Sequence, residues 1–459
     1  MNAVKGANSR LLYSIFCRKK GNVSIRLSVK KSIMPFQRSS VLLHFRKVME
    51  QVNGNSFVFA VFTLVYLGMI FGRFPRLALD RTGIVLLGAI ALLASGHARL
   101  DGGASGIDVP TILLLFGFMI ISAQFRLGGF YSEVSRRISS LPVSPGVLLG
   151  VVILSAGGLS ALLTNDVVCL AMTPVIGQGC IRRKLNPLPF FLALACAANI
   201  GSGLTLIGNP QNMLIGESLH LSFSGYLWWA LPPVLVSLLA EWRIITVLFR
   251  GKMHLEITRE QEPERAFDRW QTLKGAAVLA SVVGFFLFSA LPRDLVALAA
   301  AGILLLSRTM ASRRTLDTVD WQLLALFLGL FVVNGAFEAV GGLEIMKDGL
   351  ARLGVSLASP SWLYGVTTVL SNLVSNVPAV MLLLPLVRDI PGAGHILAVS
   401  STFAGNLLIV GSIANIIVAG EAERMGIPFD WKGHARVGVP VTLASLAAGL
   451  ACMALFRAS

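Results

Sequence analysis

The chain has 459 residues, of which 55% are hydrophobic and only 14% charged, with a mean hydropathy of +0.74. About a quarter of an ordinary soluble domain is charged, so a water-soluble fold is excluded and a bundle of bilayer-crossing helices is predicted. The formal charge of +16 is uneven: residues 1–50 hold eleven Lys and Arg against a single acid, Glu50, and the remaining residues carry only +6.

The basic tail has no adequate apolar stretch followed by a small-residue cleavage site, so it is not read as a signal peptide. Nor does it earn a nucleic-acid reading. Residues 1–50 are expected to be an extension that is disordered or not native, with translation starting at or near Met49. N-terminal sequencing checks this. The five cysteines (Cys17, Cys169, Cys180, Cys196, Cys452) are scattered without CxxC spacing, which indicates neither a disulfide framework nor a zinc site.

Apolar spans follow near 57–72, 82–97, 109–125, 188–205 and 226–249, then near 272–290, 294–307, 321–338, 393–411 and 437–456. Between the third and fourth spans of each set lies an apolar segment with a polar interruption, at 144–180 and 360–387. If each interrupted segment enters and leaves on one side, each half crosses five times and the second half is upside down. The fold predicted is an all-α membrane protein of two inverted repeats, 51–250 and 272–459, each with a re-entrant hairpin and a broken helix. A cytoplasmic linker at 251–271 joins them. That is the plan of many secondary transporters.

Charge tests the topology independently. With the loop at 73–81 cytoplasmic, 21 of the 28 Lys and Arg after position 50 fall on that side, among them Arg126, Arg182, Arg183, Lys184, Arg424 and Arg436. Arg99, Arg293, Lys347, Arg352, Arg388 and Arg457 fall opposite, and Arg243 sits within a span. The bias agrees with the positive-inside rule. The segments 128–140 and 341–354 occupy equivalent places and each starts Gly-Gly. Both are read as connecting helices with amphipathic spacing.

The interruptions carry the chemistry. LSALLTNDVVCLAMTPV (159–175) and LSNLVSNVPAVMLLLPL (370–386) align at an offset of 211, sharing Leu159/Leu370, Ser160/Ser371, Leu162/Leu373, Asn165/Asn376 and Pro174/Pro385. A second pair, NIGSGLTLIGNPQNMLIG (199–216) and FAGNLLIVGSIANIIVAG (403–420), aligns at 203, with Gly208/Gly411 and Asn212/Asn415 identical and Asn209 opposite Ser412. A helix broken at membrane depth frees backbone groups that lipid cannot satisfy, so such breaks must line a protein-buried or wet site. Carbonyls, amides and hydroxyls there can replace a cation's hydration shell, while helix N-termini starting at the breaks favour an anion.

The candidate ligands are Thr164, Asn165 and Asp166 with Thr205, Gly208, Asn209 and Asn212, and Ser375 and Asn376 with Asn406, Gly411, Ser412 and Asn415. Asp166 is the expected coupling carboxylate, because an acid at membrane depth is expensive to keep. It could equally cap the helix at 167–180. Glu241 and Glu338 lie near span ends and are read as interfacial. Cys169, Met172, Cys196 and Met213 are read as core filler. The histidines are placed in loops, at span ends or in the tail, and no HExxH or paired-aspartate arrangement supports an enzyme.

At these residues the chain resembles the ion-transporter superfamily of arsenite efflux permeases, NhaD-type sodium/proton antiporters and divalent anion/sodium symporters. The similarity spans about 57–456, and TNDVVCLAMTP looks most like the arsenite-permease and antiporter branch. The resemblance implies paired hairpins and interrupted helices, an elevator motion and a homodimer. In the dicarboxylate symporters both hairpin tips read Ser-Asn-Thr; here Thr164-Asn165-Asp166 and Ser375-Asn376-Val377 stand instead, which argues against a sodium-coupled dicarboxylate cargo. The expected function is secondary transport of a small inorganic or organic anion or oxyanion, coupled to H⁺ or Na⁺, in a bacterial inner membrane and without a cofactor. The alternatives are a sodium/proton antiporter and a passive channel.

Overall fold

A computed structural model describes residues 55–72, 79–99, 106–255 and 267–458. The basic tail with its proposed start at Met49, Arg73 and Arg76 of the first loop, and residues 256–266 of the linker lie outside them. Among the described residues nineteen α-helices form, and the only β pairing is a single bridge between Leu185 and His254.

The spans fall where the apolar runs predict. They are α1 (Asn55–Phe71), α2 (Arg81–Ala94), α3 (Val109–Leu127), α7 (Pro187–Ser202) and α9 (Phe223–Leu248), then α10 (Arg269–Phe288), α11 (Arg293–Leu305), α13 (Trp321–Ala339), α17 (Ala393–Ala404) and α19 (Trp431–Ala458). Six helices of the fold are long and apolar enough to cross a bilayer alone. Others are shorter: the 14 residues of α2 reach about 21 Å at 1.5 Å per residue, under the ~30 Å hydrocarbon core.

Aspartates set several helix starts. Asp108 accepts from Thr111 N (3.0 Å) at α3, and Asp320 from Leu323 N (2.9 Å) at α13. Each satisfies one amide that the first turn leaves free. The two connecting helices, α4 (Phe130–Ser139) and α14 (Gly342–Arg352), both begin after a left-handed glycine, Gly129 (φ 72°) and Gly341 (φ 78°). On α4, Arg136 and Arg137 grip Glu133 and hold its carboxyl below the usual carboxylate range. A short helix, α12 (Ser312–Leu316), connects α11 to α13.

Both interrupted segments fold as helix–break–helix. α5 (Pro145–Leu162) and α6 (Asn165–Arg182) are split at Leu163 and Thr164, and α15 (Pro360–Val374) and α16 (Asn376–Val387) at Ser375. The second polar pair breaks as well. α7 stops at Ser202 before α8 (Pro210–Ser218), and α17 stops at Ala404 before a 3₁₀ turn (Ile409–Gly411) and α18 (Ile413–Arg424).

Packing pairs the elements. α3 lies on α11 and α2 on α13; α5 packs on α7 and α15 on α17; α6 meets α18 and α8 meets α16; α9 runs against α19. Crossings are close where small residues face one another. A Cβ on Gly117 of α3 would stand 2.8 Å from the Ala297 backbone of α11, so glycine lets these two helices approach backbone to backbone.

Candidate functional site

The four breaks converge on one buried cluster. In the first hairpin the chain is extended at Leu163 and Thr164, and Asn165 N–H donates to Gly208 O (3.2 Å) in the break after α7. Thr205 ties that break to the hairpin's first arm through Ala161 O (2.5 Å) and accepts from Ile207 N (3.2 Å). Asn209 caps α8 by accepting from Asn212 N (2.9 Å), with Pro210 at the helix start where no amide is required. A Cβ on Gly208 would run into the Ser202 and Ser160 carbonyl oxygens, so only glycine fits this crossing.

The second half repeats the arrangement. With its amide turned to face the carbonyls, Asn376 Nδ2 donates to Ser401 O (3.0 Å) and Gly411 O (3.3 Å). Asn415 Nδ2 donates to Leu408 O (3.2 Å), as Asn212 Nδ2 does to Thr205 O (3.0 Å). Ser375 holds φ 78° and ψ 161°, a conformation that L side chains rarely adopt and that stores strain at the tip.

Asn199 joins the halves. Its Nδ2 donates to Asn406 Oδ1 (2.8 Å) and Asn415 Oδ1 (3.0 Å), and its Oδ1 accepts from Asn165 Nδ2 (3.0 Å) and Ser412 Oγ (2.8 Å). Thr402, at the matching place in α17, accepts from Asn209 Nδ2 (3.3 Å) and donates to Asn212 Oδ1 (3.5 Å). Asn406 Nδ2 reaches Cys196 O (3.2 Å), and His434 Nε2 lies 3.1 Å from Asn406 O. All these side chains are buried. Several buried oxygens nearby have no hydrogen-bond partner: Ser160 Oγ, Asn165 Oδ1, Ser371 Oγ and Asn372 Oδ1. Such atoms are expensive unless they serve a ligand or water.

Of the predicted residues, Asn165, Thr205, Gly208, Asn209, Asn212, Asn376, Asn406, Gly411, Ser412 and Asn415 therefore belong to one network. Asp166 stands apart. It lines a separate cavity of about 50 Å³ with Thr164, Arg126, Pro210, Thr318 and Asp320, between the hairpin and the α3 and α13 helices. Its capping role is corrected, because the helix starts at Asn165 with Asp166 inside the first turn.

One further placement differs from expectation: Glu241 is fully buried on α9, not interfacial. His434 lies at a span end, in the first turn of α19, and is buried beside the cluster. Glu338 is exposed near the end of α13. Asn199, Thr402 and His434 were missed. The first two share the 203 spacing, but matching by residue identity passes over an Asn opposite a Thr.

A larger cavity of about 1040 Å³ is lined by Asp108, Glu217, His220, Arg293, Asp294 and Arg388 among others. There Glu217 pairs with Arg293 (3.0 Å), which also donates to Gly216 O (2.9 Å) and so ties α8 to α11. Among the described residues no group of three or more His, Cys, Asp or Glu could hold a metal.

Comparison with known proteins fixes the family. Residues 57–396 match the model of the citrate transporter family, CitMHS. The chain belongs to the citrate transporter family. Within the wider similarity, an uncharacterized transporter of Mycobacterium tuberculosis is 31% identical over 395 residues, covering 80% of this chain and 92% of that one. The silicon efflux transporter LSI3 of Oryza sativa subsp. japonica is 26% identical over 474 residues, covering 86% and 96%. Inner membrane protein YbiR of Escherichia coli is 29% identical over 335 residues, covering 72% and 84%. Among solved structures, the Alcanivorax borkumensis YdaH transporter shares the fold, with a TM-score of 0.54 at 14% identity over 89% of this chain and 98% of that chain. The protein is a multi-pass membrane transporter of the ion-transporter superfamily, not an enzyme.

Proposed function

We propose that the chain moves a small anion or oxyanion, coupled to H⁺ or Na⁺, by alternating access between two inverted repeats spanning 51–250 and 272–459. One observation carries this reading, the reciprocity of the central hydrogen bonds. Asn199 of the first half bonds to Ser412 and Asn415 of the second. Shifted by 203, Thr402 of the second half bonds to Asn209 and Asn212 of the first. Exchange of partners between equivalent positions is the signature of a two-fold relation between halves. Helix packing agrees: α3 on α11 mirrors α13 on α2, and α6 on α18 mirrors α16 on α8.

In this reading the unpartnered oxygens of Ser160, Asn165, Ser371 and Asn372 face a coupling cation, and the helix starts at Asn165, Pro210, Asn376 and Ile413 favour the anion. Basic loops orient the bundle, so the Asp166 cavity, beside Arg126, faces the cytoplasm and the 1040 Å³ cavity, beside Arg293 and Arg388, faces outward. A citrate-like carboxylate or a silicon species would fit the family and the LSI3 relative. A bilayer and a second copy of the chain are the expected surroundings.

The second reading, a sodium/proton antiporter, is favoured by Asp166 sharing its cavity with Asp320, two carboxylates that a cation could bridge. Proteoliposomes separate the two. Accumulation of labelled citrate, silicate or arsenite against a gradient supports the anion transporter, whereas a sodium-driven pH change without added anion supports the antiporter. Asp166→Asn is expected to abolish ion-driven accumulation; full coupled transport by this variant removes Asp166 from the coupling role.

A further inference from the structure

Glu241 is an acid buried inside a membrane helix. It has no exposed surface; its carboxyl approaches the Ala197 backbone of α7, and neither Oε1 nor Oε2 forms a hydrogen bond of normal geometry among the described residues. It shares the inward face of α9 with Ser237, Leu238 and Ile245, while the neighbouring Arg243 is exposed. Leu238 packs at Gly157 and Trp242 at Gly150 of α5, and the carboxyl lies by Cys196 and Ala197 of α7. The Cys196 carbonyl is the acceptor for Asn406 Nδ2. The acid thus stands one peptide behind the asparagine network.

No cation answers it. α5 has no titratable side chain, and α7 offers only the Cys196 thiol. On α17, His395 packs against Tyr226 and Trp229. On α19, His434 is held at Asn406 O, Lys432 lies over the Trp431 ring, and Arg436 is exposed. On α10, Lys274 is bound to Leu304 O and Leu306 O, and Arg269 is exposed. An ionised carboxylate so placed would lose its hydration with no cation and only the Ala197 backbone in return. A neutral acid avoids that cost. An acid buried in a membrane helix is expensive to keep, which points to a use for its proton.

We propose that Glu241 is a second proton-carrying site of the transporter. It holds a proton in the conformation described here and gives it to water when the packing of α9 on α5 and α7 opens. The O–H bond breaks heterolytically and the carboxylate is left facing water. The site rests on the transporter reading above and couples to it through Cys196 and Asn406.

Two measurements test it on full-length protein in lipid vesicles. Infrared difference spectra at neutral pH, which require no cargo, should show the carbonyl stretch of a protonated carboxylic acid in the wild type that is missing in Glu241→Gln and persists in Asp166→Asn. Absence of any such band in the wild type, or its survival in Glu241→Gln, overturns the proposal. Glu241→Gln mimics the neutral acid and should fold with wild-type thermal stability. It should keep exchange of labelled citrate at equal concentrations on both sides, yet lose at least tenfold in accumulation driven by a pH gradient. Wild-type pH-gradient-driven accumulation by Glu241→Gln also overturns the proposal. Wild-type vesicles that take up no labelled anion and show no sodium-driven pH change sink the transporter reading instead, and the infrared band then decides Glu241 by itself.

Discussion

Asn199 satisfies four partners with a single amide, which is the full capacity of that side chain. Asn199→Ala leaves the amides or hydroxyls of Asn165, Asn406, Asn415 and Ser412 short of a partner, at about 1–3 kcal/mol for each group left unsatisfied. A large drop in melting temperature and loss of uptake are expected; wild-type stability would show that the network is not what holds the halves together. At Ser375 the opposite sign is expected. Glycine accepts φ 78° without strain, so Ser375→Gly should stabilise the protein by roughly 1–2 kcal/mol, whereas Ser375→Ala should not. Thermal melts of the two variants side by side decide it. Much of the site was legible in the sequence because Asn, Gly and Pro in an apolar run have few structural excuses. Asn199 and Thr402 were hidden because equivalent positions hold different residues. Glu241 was hidden because burial of one helix face depends on which neighbours cover it, and distance from a span end carries no such information.

At the scale of elements, both helix–break–helix segments and both interrupted helices fall at the polar knots, and their positions follow from local chemistry. Pro210 opens α8 and Asn209 caps it, while Thr164 and Ser375 separate the hairpin arms. The short lengths of α2 and α11 were legible to within three residues, because the apolar runs at 82–97 and 294–307 are themselves short. The crossing of α5 and α7 is set by glycine. A Cβ on Gly201 would enter the backbone of Gly157, so Gly201→Ala should force the helices apart and cost about 1–3 kcal/mol. That displacement would pull Ala161 from Thr205 and should lower transport as well. A variant as stable and active as the wild type would mean that the crossing tolerates a shift.

For the whole molecule, the membrane class and the places of the apolar helices were readable from composition and run length. The reciprocal meeting of the halves was not, because it depends on how two distant segments dock. The account's central claim is that this meeting point opens to each side of the membrane in turn. Ser375, at the second hairpin tip, is the place to ask. In a variant whose only cysteine replaces Ser375, a membrane-impermeant thiol reagent applied to one face at a time reads which side reaches the tip. Reaction from either face, with the favoured face switching as the ion gradient is reversed and falling when a transported anion is added, is the expected result. Reaction from one face alone under every gradient would contradict the account.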